Sequence, residues 1–371
     1  MPSLSDGPSR LRVAMTLEQF WHRVPGGTAV AAFEMARALL DRDLDLIGVA
    51  ARHNQPPDQR WRLPLEIGHM PLPRPLLYES WHRLRSPRVE RATGPVDLIH
   101  ATTMAIPPQT VPLVVTVHDL AWIDHPTHFP ARGLRFFRAG FELTRRDAAL
   151  VLCPSGATMR ACADHGIERS RLRLVPLGVD ATSAPRDEVE RVRTAYGLTR
   201  PFVMWTGTIE PRKNLRNLVE AFASLEDEHD LVLVGPKGWH EDLDEVVAPI
   251  RDRVKPLGFV PQEDLGPLYA GADVFCYPSL LEGFGFPVLE AMVQGTPVVT
   301  SAGTSTEELA RDAGVLIDPL DPGSIADGLR SVLEDAEYAG KLSAAGRARA
   351  SEYPWSRTAG LLLEAYREVA A

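Results

Sequence analysis

Short apolar runs alternate with amphipathic stretches along this chain. Leu11 to Leu17 is an apolar run of strand length. Val30, Phe33 and Leu40 then recur at helical spacing, with Arg37 among them and Thr28 at the N-cap position. Leu44 to Ala50 is apolar again. The rhythm continues with strand-like runs at Val96 to Ala101, Leu113 to Val117, Ala149 to Cys153 and Leu172 to Val175, and Ser155 opens a helix. A polar stretch from Thr182 to Glu190 interrupts it and reads as a linker. The pattern then restarts with runs at Phe202 to Gly207, Leu231 to Val234, Gly258-Phe259-Val260, Val274 to Tyr277, Val298 to Thr300 and Val315 to Ile317. Leu215, Leu218, Val219, Phe222 and Leu225 hold a 3.6-residue period, with Asn214 as the N-cap. Two successive series of strand and helix predict an α/β chain with two parallel sheets, each covered by helices on both faces.

In such sheets ligands bind beyond the carboxyl ends of the strands. The glycine and charged loops of this chain fall there: Pro25-Gly26-Gly27, His118-Asp119, Arg212-Lys213 and Glu282 to Gly285. The densest unit runs from Asp273 to Thr300. It presents a strand, the loop Glu282-Gly283-Phe284-Gly285, and a helix started by Pro287 and closed by Gly295 and Pro297. A helix N-terminus after a glycine loop suits a phosphate. Arg212 and Lys213 add two cations beside another helix start, where they oppose the helix dipole and call for an anion. Glu290 falls in the first helical turn, a favourable place for local reasons. Glu282 has no partner nearby in sequence, and a carboxylate is a good acceptor for sugar hydroxyls. His118 ends a strand and could reach a hydroxyl; Asp119 suits a role in orienting the turn.

Composition narrows the class. The chain has 371 residues, 44% hydrophobic and 24% charged, which fits a globular protein of two domains. Three cysteines, Cys153, Cys162 and Cys276, match no zinc spacing and suggest reduced thiols in a reducing, cytoplasmic compartment. No run is long and apolar enough for a signal peptide or a membrane span. The net charge of −9 is uneven. Residues 1–180 hold 22 Arg and no Lys against 18 acidic residues, and nine of the eleven His. The first half is therefore the one suited to an anionic partner. Leu76, Leu77, Trp81, Leu84 and Val89 interleave with Arg83, Arg85, Arg88 and Arg91 as one basic amphipathic helix, and Gly133 to Arg146 repeats the theme. Such helices can lie on an anionic membrane, which makes peripheral membrane contact an expectation. Asp41, Asp43 and Asp45 alternate with Leu44 and Leu46 as a polar strand face and are not read as a metal site. There is no GxGxxG after the first strand, no Walker A pattern, no nucleophile elbow and no His-Glu-x-x-His, and no nucleic-acid partner is expected.

Glu210-Pro211-Arg212-Lys213-Asn214, Gly258-Phe259-Val260 and Glu282-Gly283-Phe284-Gly285-Phe286-Pro287 through Glu290-Ala291-Met292 resemble the retaining glycosyltransferases of family 4, which have the GT-B fold. The local style of Gly235-Pro236-Lys237-Gly238-Trp239 and Tyr277-Pro278-Ser279 is similar to mannosyltransferase-like members. The resemblance implies two Rossmann-like domains facing across a cleft. Residues 1–182 would form the acceptor side and 183–354 the donor side, with the helix 355–371 crossing back after Pro354. It implies transfer of mannose or another hexose from a nucleotide-diphosphate sugar as co-substrate, with no cofactor and no metal, to a glycan, lipid-linked or small-molecule acceptor. Arg212 and Lys213 would hold the diphosphate, reached from the other domain by Gly26 and Gly27. Glu290 would take the ribose, and Glu282 with the backbone of Gly283, Phe284 and Gly285 the sugar. The backbone near Val260 would touch the base, and His118 would lie over the sugar or acceptor. Many members carry the diphosphate Arg several residues before the Lys. Here those positions are Gly207 to Pro211, so Arg212 must substitute. A nucleotide-sugar epimerase or hydrolase, or a non-catalytic nucleotide-sugar-binding protein, would use the same constellation.

Overall fold

A chain with two series of apolar runs should fold as two sheets, and the computed structural model has two. It describes residues 10–22, 26–226, 228–238 and 241–370, so Pro25 and Trp239 lie outside the described residues. One compact unit comprises residues 1–122, 129–178 and 355–371, and the other residues 123–128 and 179–354.

The first unit holds β1 (Arg12–Thr16), β2 (Asp45–Ala50), β3 (Ile67–His69), β4 (Leu98–Ala101), β5 (Leu113–Thr116), β6 (Leu150–Cys153) and β7 (Leu172–Leu174). They form one sheet in the order β3-β2-β1-β4-β5-β6-β7. The second unit holds β8 (Phe202–Thr206), β9 (Asp230–Val234), β10 (Val254–Gly258), β11 (Val274–Tyr277), β12 (Val298–Ser301) and β13 (Val315–Ile317), in the order β10-β9-β8-β11-β12-β13. Every pairing is parallel. Strands buried on both faces read as unbroken apolar runs, which is why β4, β5, β6, β8, β9, β11 and β12 are wholly buried. The helix Leu215–Ala223 inserts Leu215, Leu218, Val219 and Phe222 among Val203, Trp205, Leu231 and Leu233. Each such side chain contributes about 2 kcal/mol from burial.

The last helix, Trp355–Ala370, packs on the first unit. Tyr366 meets the buried His100 of β4 at 2.7 Å, His100 meets Thr116 of β5 at 2.8 Å, and Thr358 donates to the Pro176 carbonyl at 2.8 Å. All three cysteines are buried and free.

Several local expectations give way. The first helix starts at Gly27 with Gly26 as its cap, so Thr28 lies inside it. Asn214 does occupy the cap of Leu215–Ala223, but in the left-handed region (φ 57°), and its side chain donates instead to the carbonyls of Pro278 and Pro319. The run at 258–260 is not a strand centre: β10 ends at Gly258. The basic stretch is not one helix. It breaks after Arg74–Leu84, because Arg85 turns left-handed ahead of Pro87. Arg85 then faces inward, onto the carbonyls of Trp81, Ile106 and Pro107 and the carboxylate of Asp147.

Candidate active site

The carboxyl end of the second sheet is built on close backbone approach. The N–H of Gly207, after β8, donates to Val234, and that of Gly235, after β9, donates to Gly258. Gly235 has φ 137°, and a Cβ there would lie 2.0 Å from the Gly207 carbonyl oxygen. Only glycine fits, which leaves these strand ends low and free of side chains.

Next to them the chain turns through Pro211–Lys213. That turn aims Arg212 and Lys213 at the loop after β11, and the two segments are tied by a Leu280 N–H bond to the Arg212 carbonyl, 2.9 Å. Lys213 Nζ lies 2.6 Å from Glu282 Oε1 and donates to the Tyr277 hydroxyl. Tyr277 in turn donates to the same Glu282 oxygen at 3.1 Å. Arg212 Nη1 lies 3.2 Å from Glu282 Oε2 and 2.9 Å from the Leu281 carbonyl, while Nη2 holds Glu210 at 2.8 Å. The side chains of Lys213 and Glu282 are each 10% exposed, so these charges act through little water.

The anion that the two cations call for is thus supplied within the fold, by Glu282 and Glu210. Glu282 stands without a charged neighbour in sequence, because its cationic partners lie 69 and 70 residues away. Burial pushes the Glu282 carboxyl up, but Lys213 and then Arg212 outweigh it and bring the pKa down to about 2. Burial lowers Lys213, and the attraction of Glu282 only partly offsets that. The cluster holds two cations and two carboxylates.

The loop of Glu282 to Gly285 is fixed from behind. Ser305 Oγ donates to the carbonyls of Glu282 and Phe284, at 2.8 and 3.1 Å. Gly285 caps the helix Phe286–Gln294 at φ 110°, where a Cβ would meet Thr306 at 2.8 Å. Gly283 and Phe284 are buried, and the Phe284 ring packs edge-on to Phe286 and Tyr353. Glu290, one turn into the helix, accepts from the Tyr269 hydroxyl at 3.0 Å. Burial raises its pKa against the opposing effect of that bond. Val260 is buried just past the end of β10.

The remaining candidates belong to the first unit. His118 follows β5, and its Nε2 lies 3.0 Å from the Thr102 carbonyl. A carbonyl only accepts, so the proton sits on Nε2 and Nδ1 keeps its lone pair. Burial lowers the His118 pKa against the raising effects of that bond and of Asp119, which favours the neutral ring. Asp119 accepts the N–H of Ala121 at 3.0 Å, a turn-orienting contact. Gly26 caps the first helix and Gly27 begins it, with open space where a Gly26 side chain would be.

Four participants had escaped the sequence reading: Glu210, Tyr277, Tyr269 and Ser305. Glu210 and Tyr277 stand inside stretches that carry the resemblance, without a role of their own. Tyr269 looks like an ordinary core aromatic, and nothing in the spacing of either tyrosine marks a hydroxyl that meets a carboxylate. Among the described residues no group of His, Cys, Asp or Glu could hold a metal ion.

The family "Glycosyl transferases group 1" matches residues 187–349, and "Glycosyltransferase Family 4" matches residues 25–183. The O-antigen chain mannosyltransferase B of Escherichia coli is 31% identical over 79% of this chain and 80% of its own length. A D-inositol 3-phosphate glycosyltransferase of Xylanimonas cellulosilytica is 29% identical over 92% of each. Among solved structures, Anabaena HepE in complex with UDP and glucose superposes with a TM-score of 0.76 at 22% identity, covering 96% of this chain and 100% of that one. WaaG, a glycosyltransferase of lipopolysaccharide biosynthesis, gives 0.73 at 18%, covering 96% and 99%. These likenesses show the GT-B fold.

Proposed function

The chain belongs to the group 1, family 4 glycosyltransferases, and on that premise we propose that it moves a hexose, mannose first among candidates, from a nucleotide-diphosphate sugar to a glycan or lipid-linked acceptor, with retention and without a metal. The observation that carries this reading is the Arg212–Lys213–Glu282 cluster at the carboxyl ends of β8 and β11. An arriving diphosphate competes with Glu282 for both cations. Glu282 is then released to accept from the hydroxyls of the attached sugar, and Glu290 takes the ribose. The backbone near Val260 meets the base.

In the reaction the bond between the anomeric carbon and the diphosphate oxygen breaks. The acceptor oxygen bonds to the same face, and its proton passes to the departing phosphate oxygen. Charge grows on the leaving group, and Arg212 and Lys213 stabilise it in a site that excludes most water. Their charge is the basis for proposing metal independence. The likeness to mannosyltransferases supports mannose as the first donor to try. A thermal-shift screen of GDP- and UDP-sugars tests the reading, since a ligand at about 100 times its Kd stabilises by about 2.7 kcal/mol. No shift with any of them would contradict it.

His118 takes the role of a hydroxyl acceptor through Nδ1. His118→Ala should lower kcat/KM by about tenfold, the worth of one neutral hydrogen bond at its upper end. His118→Asn, which returns an acceptor oxygen near the Nδ1 position, should recover part of that loss. An Asn variant no better than Ala would rule the role out.

A membrane-bound acceptor is the form we favour, at the cytoplasmic face. Leu76 and Leu84 are 59% and 74% exposed, beside exposed Arg83 and Arg88, and the neighbouring helix Ala131–Asp147 exposes Arg132, Arg135 and Arg138. Failure to float with anionic liposomes at low salt would count against it. No helix among the described residues is long and apolar enough to cross a membrane.

A further inference from the structure

Beyond the carboxyl ends of β1, β2 and β3 stands a group of side chains more elaborate than packing requires. Glu18 is 4% exposed, and its carboxylate accepts the Ala51 N–H at 2.8 Å and lies 3.0 Å from His53 Nε2. The Trp21 indole lies flat on His53, with ring centres 4.5 Å apart and planes within 6°. His69 meets that indole edge-on, 5.6 Å away at 81°. Trp21 spends its ring N–H on the Gln55 carbonyl at 2.8 Å, so the part of the indole left exposed is apolar π surface.

The imidazoles are oriented as well as packed. His69 Nδ1 lies 2.9 Å from the Ala51 carbonyl, which can only accept, so Nε2 of this exposed residue is the atom left with a lone pair. Glu18 draws the His53 proton to Nε2 in the same way and leaves Nδ1 available. Burying a carboxylate is expensive, and an indole–imidazole stack needs none. What Glu18 adds is direction, as a carboxylate behind an imidazole commonly does. Among the described residues, the bonds of these four side chains run to one another and to backbone rather than to an Arg or Lys.

We infer that Glu18, Trp21, His53 and His69 form a sugar-binding platform, the acceptor subsite of the first unit. The indole takes the C–H face of a pyranose, and His69 Nε2 and His53 Nδ1 accept from its hydroxyls. An apolar indole face flanked by lone-pair nitrogens suits a sugar ring, which offers C–H surface and O–H donors, rather than a phosphate, which offers neither. Glu18 and His53 act mainly as positioning residues. The inference rests on the glycosyltransferase reading.

Saturation-transfer NMR with methyl α-mannopyranoside and α-1,2-mannobiose, at about 20 mM for millimolar affinities, tests it. Inorganic phosphate serves as the competing arm, and UDP and GDP binding by calorimetry as the control for folding. The expected result is transfer to the sugar ring protons, unaffected by phosphate. Trp21→Ala should weaken binding about tenfold, Trp21→Phe less, and His69→Ala by a few-fold, with nucleotide affinity unchanged in all three. Equal sugar binding by wild type and Trp21→Ala, displacement by phosphate, or no transfer from either sugar to a protein that binds UDP or GDP would overturn the platform. Absence of nucleotide binding in wild type would instead overturn the donor reading, whatever the sugars do.

Discussion

Arg212→Ala should lower kcat by two to three orders of magnitude, the range seen when one donor to developing negative charge is removed. Arg212 is held in place before any ligand arrives, by Glu210 at 2.8 Å and the Leu281 carbonyl at 2.9 Å. Its side chain is 16% exposed, so its charge is poorly screened. Its interaction strengthens as charge moves onto the diphosphate, which is the condition for raising kcat rather than only tightening binding. Arg212→Lys keeps the charge but loses the planar two-point grip, and should fall between. Glu290→Ala is the contrast. Its proposed ribose contact is the same before and during reaction, so its effect should be a higher donor KM with kcat largely kept. Equal losses in the two variants, entirely in donor affinity, would contradict this ranking.

Lys213→Ala should be the most destabilising change in the cluster, at about 3–5 kcal/mol, because it leaves a buried carboxylate without its nearest cation. Lys213→Ala/Glu282→Gln removes both charges and should recover much of that stability while remaining inactive. A double variant as unstable as the single one would mean that packing dominates over charge. The same pair predicts an acid response. The folded pKa of Glu282, about 2, lies below its ordinary 4.5. Its stabilisation is therefore complete above pH 4.5 and is lost as pH falls from 4.5 toward 2. The shift corresponds to about 3 kcal/mol. Urea unfolding at several pH values should show the wild-type advantage over Glu282→Gln shrinking across that window. Parallel curves would remove the electrostatic account.

The strands were legible because parallel strands are buried on both faces, so β4, β5, β8 and β11 stand out as unbroken apolar runs. The family landmarks were legible because a glycine loop, a proline at a helix start and two adjacent cations are local patterns. Three kinds of feature were not. Helix starts depend on backbone geometry, and at Asn214 a left-handed residue sends its side chain elsewhere. The stretch from Leu76 to Arg91 kept a helical period through Pro87, which periodicity ignores and the backbone does not. Pairings across long separations leave no mark: Lys213 with Glu282, Tyr269 with Glu290, Glu18 with His53. Arg212, Lys213 and Glu282 were thus legible as parts of local motifs, while their mutual neutralisation was not.

The most direct test of the central claim is release of nucleoside diphosphate from GDP-mannose and UDP-glucose, followed with and without a glycan acceptor and with chelator present. The account predicts acceptor-dependent release by wild type, unaffected by the chelator and abolished in Arg212→Ala/Lys213→Ala. Release that persists in the double variant, or that no acceptor stimulates, would contradict it.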